Sequence, residues 1–174
     1  VGEKGKVIGV DMTPEQLQVA KAVEQEQMQR FNYSSSNVSF LEGYIEELET
    51  LNIPAGSVDL VVSNCVINLS PDKEAVLKGV ASLLKQGGEF YFSDVFCDRR
   101  LSQELQSNEM LYGECLGGAL YINDFISMAK ACGFNDPRLI SESPIELDAD
   151  VRELTGKATF VSRTYRLFKI DALE

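Results

Sequence analysis

Val58-Asp59-Leu60-Val61-Val62-Ser63-Asn64-Cys65-Val66-Ile67-Asn68-Leu69 is the stretch whose reading decides the fold. From Val58 to Val62 it is almost wholly apolar and β-branched, the pattern of a strand buried on both faces of a parallel sheet. The run stops at Ser63, Asn64 and Cys65. A helix start follows directly, with Ser70 as N-cap, Pro71 at the first helical position and Asp72 in the first turn. Open α/β sheets bind ligands outside the carboxyl ends of their strands, so an amide and a thiol at that point stand where chemistry is done. A free cysteine is equally at home in a core. Spacing alone leaves both readings of Cys65 open.

Upstream, Lys6-Val7-Ile8-Gly9-Val10-Asp11 reads as a short buried strand ending in a carboxylate. Thr13-Pro14-Glu15-Gln16 opens the helix behind it, with a cap, a first-turn proline and a capping-box partner. Leu17, Ala20, Ala22, Val23 and Phe31 carry the helical period there. Val38 to Gly43 is a second strand, and Tyr44 to Leu48 turns away from it as one helical turn. Downstream, Ala75, Val76, Val80, Leu83 and Leu84 predict a helix from about Pro71 to Lys85, stopped by Gly87 and Gly88. Glu89 to Phe96 is an aromatic-rich strand finishing in polar Ser93 and Asp94. Helices are expected around Ser102 to Leu111 and Ile122 to Cys132. Arg138 to Leu147 and Thr159 to Lys169 read as strands with no full crossover helix between them. Alternating strands and helices predict an α/β, Rossmann-like, mostly parallel sheet with an antiparallel C-terminal hairpin at one edge. The 174 residues suffice for one domain, 1–174.

Sixteen Lys and Arg face 27 Asp and Glu, a net charge of −11, and no basic stripe is present, which argues against nucleic acid as a partner. No long apolar span or signal-like region predicts membrane insertion or export. The first residue is Val1 rather than methionine, so the sequence reads as a piece of a longer chain. Its four cysteines, at 65, 97, 115 and 132, are spread singly. That argues against a zinc knuckle or disulfide framework and for a reducing, cytoplasmic setting. Cys132 falls on the apolar face of a helix and is expected in the core; Cys97, after a strand, is expected to have no chemical role. The chain has no histidine, which excludes Ser–His and Cys–His pairs.

Asp11 at a strand end, with a helix starting two residues later, matches the acid that hydrogen-bonds ribose hydroxyls in nucleotide-binding folds. It reads equally as a surface or capping carboxylate. The glycine-rich loop that accompanies such an acid lies roughly 20 residues upstream, and only ten residues precede Asp11.

Gly9-Val10-Asp11-Met12, Gly43-Tyr44-Ile45-Glu46, Ser63 to Leu69, Gly88 to Val95 and Tyr112-Gly113-Glu114-Cys115-Leu116-Gly117-Gly118-Ala119-Leu120-Tyr121 together resemble the arsenite methyltransferase family, S-adenosylmethionine-dependent class I methyltransferases of arsenic(III). The resemblance runs from about Lys6 to Lys169, and the last motif is its most specific part. It implies a cofactor site of Asp11 on the ribose, Met12 on the adenine, and Gly43, Tyr44, Ile45 and Glu46 along the adenine pocket. Asn64 would face the methionine portion. Cys65 and Cys115 would be the thiolates that hold arsenic(III), a soft centre suited to sulfur. A thiol reductant would be a further partner. The family's first strand, its glycine-rich loop and its N-terminal cysteines are not among these residues. The expectation is therefore two unpaired sheet edges, weak cofactor binding and no turnover by residues 1–174 alone. Where the family has a further cysteine before the last strand, Lys157-Ala158-Thr159 stands here.

Two other functions share these residues. One is methylation of a different small molecule; the absence of a Pro-Pro-aromatic run after Ser63-Asn64 disfavours amines of DNA or protein. The other is a metalloid-binding module without turnover. A Cys65–Cys115 disulfide is the remaining alternative.

Overall fold

The computed structural model describes residues 1–171 and falls into two compact units, Val1–Asn52 and the remainder from Ile53. In the first unit, β1 (Val7–Asp11) pairs in parallel with β2 (Val38–Glu42), and α1 (Pro14–Arg30) connects them. The Thr13 side chain makes no capping bond; its backbone N–H donates instead to Asp11 Oδ1 at 2.8 Å. The expected capping box is thus replaced by an Asx turn from the strand's own last residue. Leu17 and Met28 are the buried residues of α1, whereas Val23 and Phe31 are exposed. Val7 and Ile8 are exposed too, so β1 is not the buried strand its composition predicts. Within this unit its one strand neighbour is β2. A 3₁₀ segment, Ile45–Leu51, stands where one helical turn is expected.

The second unit holds a five-stranded sheet. Its path is β3 (Val58–Asn64), β4 (Leu84–Cys97), β7 (Phe160–Phe168) and β6 (Arg138–Pro144), and the short β5 (Leu120–Tyr121) joins the end of β4. β3 and β5 run parallel to β4, while β7 is antiparallel to both β4 and β6, as the C-terminal pattern predicts. The link between β6 and β7 carries α6 (Ala149–Thr155), a helix the sequence reading leaves out. β3 is an edge strand among the described residues, and Leu60 and Val62 on it are exposed. The expectation of a strand buried on both faces is corrected accordingly.

α2 runs from Lys73 to Leu83 and is capped by Asp72, whose carboxylate accepts the Ala75 N–H at 2.8 Å. Ser70 is not the cap. Its Oγ accepts the Asp72 N–H at 3.2 Å, two residues on, and Asp72 is itself non-helical at φ −124°, ψ 83°, so the helix starts only at Lys73. The helix also ends early. Leu84, fully buried, is already extended, so β4 begins before Gly87 and Gly88 rather than after them. Gly87, at φ +79°, donates its N–H to Lys169 O at 2.7 Å. The expected helix from Ser102 to Leu111 is two short ones, α3 (Gln103–Gln106) and α4 (Glu109–Gly113). Asn108 breaks the run because its side chain caps the second of them at Leu111 N.

β4 sorts the core by its two-residue period. Phe90, Phe92 and Phe96 join Phe125 of α5 (Ile122–Ala131) and Tyr165 of β7, with ring centroids 4.7 to 6.3 Å apart along the chain of contacts. Val95 and Cys97 join Leu101, Leu111, Leu116, Ala119, Val151, Ala158 and Phe160, and Cys115 packs against that cluster. Cys97 is therefore the core cysteine. Cys132 is half-buried just past α5, which corrects its expected burial. No described helix is long and apolar enough to cross a membrane.

Candidate active site

Cys65 is the first residue beyond β3. Its N–H donates to Ser93 O at 2.9 Å, which prolongs the β3–β4 ladder by one bond. Its backbone is left-handed, φ +53°, and so the chain leaves the sheet sharply at the thiol. Asn64 precedes it, exposed at the carboxyl end of the strand, with Oδ1 3.8 Å from Cys65 Sγ. Cys115 follows α4, also left-handed at φ +59°. Its Sγ lies 3.8 Å from the carbonyl oxygen of Cys65. The two cysteines named from the sequence thus meet in one unit, both half-buried and both free thiols; the disulfide alternative is not what the fold forms.

Asp94, which reads in the sequence as the polar end of a strand, stands next to the site. It occupies the row of Phe90, Phe92 and Phe96 and is 1% exposed. A carboxylate there is tolerable only with partners. It accepts the N–H groups of Val95 at 2.8 Å and Asn68 at 3.1 Å, and that of Ile67 as well. Burial still pushes the carboxyl up, against those bonds and the nearby Lys73 ammonium. The signal was legible: one acid in an otherwise aromatic alternation. Burial also pushes both thiols up, and the negative charge of Asp94 adds to this at each. Lys73 is pushed down by burial, against the pull of Asp94; its Nζ donates to Ser70 O at 3.0 Å. A cavity of about 10 Å³ lies among Ile67, Asn68, Lys73, Asp94 and the aromatic rows, room for no more than one water.

Asn68, Tyr112 and Gly118 lie in the same motifs as the two cysteines, and nothing local in the sequence assigns them a role. Asn68 is buried, with Nδ2 donating to Val95 O at 2.8 Å and to Cys115 O at 3.2 Å. The Tyr112 hydroxyl donates to Leu69 O at 2.5 Å. A Cβ on Gly118 would stand 1.9 Å from Asn68 O, so only glycine fits.

The expected cofactor residues other than Asn64 lie in the first unit. Asp11 ends β1, one carboxylate oxygen engaged by Thr13 and its carbonyl accepting Gly43 N–H at 3.0 Å. Met12 and Tyr44 are exposed; Ile45 and Glu46 are half-buried at the start of the 3₁₀ segment. The strand-end carboxylate, the open methionine and the adjoining Gly43–Glu46 turn suit a ribose and an apolar ring. An open cleft of about 270 Å³ in this unit is lined by Gly9, Val10, Asp11, Gln16, Leu17, Ala20 and Phe40; of the expected set it includes Asp11 alone. Among the described residues no three His, Cys, Asp or Glu are arranged to hold a metal ion.

A mostly parallel sheet with antiparallel C-terminal strands, a strand-end acid and polar residues at the carboxyl end of β3 define an α/β class I methyltransferase fold. The chain belongs to the methyltransferase domain family, which matches residues 1–143, and relatives 46–57% identical to it over 97–100% of its length are arsenite methyltransferases. It is 57% identical to the arsenite methyltransferase of Aquipseudomonas alcaligenes over 100% of this chain and 50% of that protein. The Homo sapiens arsenite methyltransferase is 46% identical over 97% of this chain and 45% of its own length. The crystal structure of an arsenic(III) S-adenosylmethionine methyltransferase from Chlamydomonas reinhardtii superposes with a TM-score of 0.94 at 50% identity, covering 100% of this chain and 58% of that one. The chain spans about half the length of the curated relatives it matches.

Proposed function

We propose that this protein methylates trivalent arsenic, taken as arsenite or a thiol conjugate, with S-adenosylmethionine as donor and Cys65 and Cys115 as the arsenic-holding thiols. The observation that carries the reading is the approach of Cys115 Sγ to within 3.8 Å of Cys65 O, across fifty positions of the second unit's sequence.

Arsenite, As(OH)₃, condenses with two thiols to give a dithiolate, As–OH and two waters. Two As–O bonds are exchanged for two As–S bonds, and each thiol proton leaves in water. No net proton is released, so the raised thiol pKa values are compatible with capture at neutral pH. Sulfur donors suit the soft centre and leave its lone pair in place. The third position is open to hydroxide or a small thiol, in keeping with the two-cysteine set.

S-adenosylmethionine, when bound, supplies an electrophilic sulfonium methyl. Asp11 would hold its ribose, Met12, Gly43, Tyr44, Ile45 and Glu46 its adenine, and Asn64 its methionine portion. The work of the two cysteines is to fix the arsenic, an orientation effect of about 7–11 kcal/mol at its upper range. The lone pair is the nucleophile, so no general base is needed, in keeping with a chain that has no histidine. Methyl transfer would turn that lone pair into the As–C bond, leave the donor as S-adenosylhomocysteine and make arsenic formally pentavalent; two molecules of a thiol reductant, oxidised to a disulfide, would return it to the trivalent state. Both units belong, in this reading, to one methyltransferase domain, 1–174, and the family match across both supports that.

The test is arsenite binding by the wild type, Cys65→Ser and Cys115→Ser, followed by chromatography of arsenic species after incubation with S-adenosylmethionine and a thiol. Each single change should abolish tight binding and methylated product. Wild-type affinity in both variants would sink the assignment. Because residues 1–174 alone are expected not to turn over, product is sought with a family-length protein carrying these residues, and binding without product there would move it to a sequestering module.

A further inference from the structure

We propose that Asn68 and Tyr112 are positioning residues that clamp the segment after β3 onto the segment after α4 and so set the spacing of the two thiols. The inference rests on the arsenic-capture reading above and adds residues to it.

Cys65 and Cys115 both stand in left-handed backbone, at φ +53° and +59°. Side chains other than glycine adopt that conformation only where the surroundings over-determine it. The surroundings here are polar and specific. Asn68 N–H donates to Asp94 Oδ2 at 3.1 Å, which ties its segment to β4. Its side-chain amide spends both hydrogens on carbonyls, one of Val95 and one of Cys115 itself, at 2.8 and 3.2 Å. The residue that carries the second thiol is therefore bonded directly to the segment that carries the first. One residue on, Leu69 O accepts the Tyr112 hydroxyl at 2.5 Å. Gly118 packs so closely on Asn68 O that the two segments meet backbone to side-chainless backbone.

Tyr112 is 46% exposed, and its hydroxyl reaches across the joint to Leu69 O. Asparagine suits position 68, because its short, neutral amide offers two hydrogens to two facing carbonyls. An aspartate would set a third acceptor against them.

Phenylarsine oxide separates a clamp from a general support. It condenses with two thiols, PhAs=O and two R–SH giving PhAs(SR)₂ and water, so its affinity reads their spacing. Alkylation by iodoacetamide reads each thiol alone. In the full chain, Asn68→Ala should weaken phenylarsine oxide binding by about tenfold or more, since the second thiol no longer closes at high effective concentration. Tyr112→Phe should weaken it by about threefold. Alkylation rates of Cys65 and Cys115, followed by mass spectrometry, should stay within about twofold of wild type.

If both variants bind phenylarsine oxide like wild type while Cys65→Ser and Cys115→Ser do not bind it, the clamp is wrong and arsenic capture stands. If affinity and single-thiol reactivity change together, Asn68 and Tyr112 are general supports and the inference fails. If Asn68→Ala does not fold, Tyr112→Phe decides alone, because it removes one hydroxyl from an exposed ring. If the wild type itself binds through fewer than two thiols, the capture reading fails and the clamp falls with it.

Discussion

Cys115 Sγ stands 3.8 Å from the carbonyl oxygen of Cys65, although fifty residues separate the two. The other two cysteines share no such contact: Cys97 is fully buried in an apolar cluster, and Cys132 Sγ faces Glu74 O at 3.9 Å, beyond α5. Four thiols are thus sorted into one pair and two singles.

That sorting predicts a protection pattern. Stoichiometric arsenite should shield Cys65 and Cys115 from alkylation together, while Cys132 continues to react and Cys97 is silent until the protein is unfolded. Peptide mass spectrometry after brief iodoacetamide treatment reads all four at once. Protection of Cys65 without Cys115 would contradict the shared site.

The reactivity of the pair should depend on pH in a stated direction. Burial first, and the Asp94 carboxylate second, hold both thiols above the ordinary cysteine range. Their alkylation rates should therefore rise at higher pH than those of an exposed cysteine peptide. Asp94→Asn removes the charge and should move both profiles toward lower pH, Cys65 and Cys115 alike. A shift at neither would remove Asp94 from the account.

Gly118→Ala should be among the most destabilising small changes in the chain. The added Cβ falls 1.9 Å from Asn68 O, a backbone atom that cannot rotate away. Overpacking costs about 1–3 kcal/mol, and this contact belongs at the upper end, read as a lower urea midpoint. Gly113→Ala is the internal control, since its Cβ would meet nothing within 4 Å.

Asp94 also sets a pH dependence of stability. Its carboxyl is held above the usual value by burial, so the folded state binds that proton more tightly than the unfolded chain does. The sign follows from linkage: stability contributed by the protonated form is lost as pH rises from the unfolded carboxylate range, about 3.9, through the folded value. Urea midpoints of the wild type and Asp94→Asn, compared across that interval, should converge toward the acid end and part above it. Parallel profiles would show that Asp94 titrates alike in both states.

Much of this was open to a sequence reading because it is local. The apolar β-branched run of Val58–Val62 announces a strand, and the alternation in Phe160–Phe168 announces another; both form. The errors gather where two local signals compete. Ser70 and Pro71 look like a cap and a first helical residue, but Asp72 is itself non-helical and its carboxylate takes the Ala75 N–H, so the helix starts after it. Gly87 and Gly88 look like a helix stop, but Leu84 buries completely and draws the chain into β4 first. Asp94 stands out in the sequence as one acid among aromatics, but its distant partner does not: the Asn68 N–H that it accepts lies 26 positions away.

What the sequence by itself determined is the order of the main strands and helices, though not β5, α6 or the split into α3 and α4, together with the strand-end place of Asp11, Asn64 and Cys65 and the thiol inventory, because periodicity and turn chemistry act over a few residues. What only the tertiary structure decided is the meeting of Cys65 with Cys115 and the choice of Asn68, Asp94, Tyr112 and Gly118 as the groups around them. Those contacts span from one to about fifty positions of chain and are made by backbone carbonyls and N–H groups. Every residue carries such groups, so their identity in the sequence is silent until folding brings particular ones within hydrogen-bond reach.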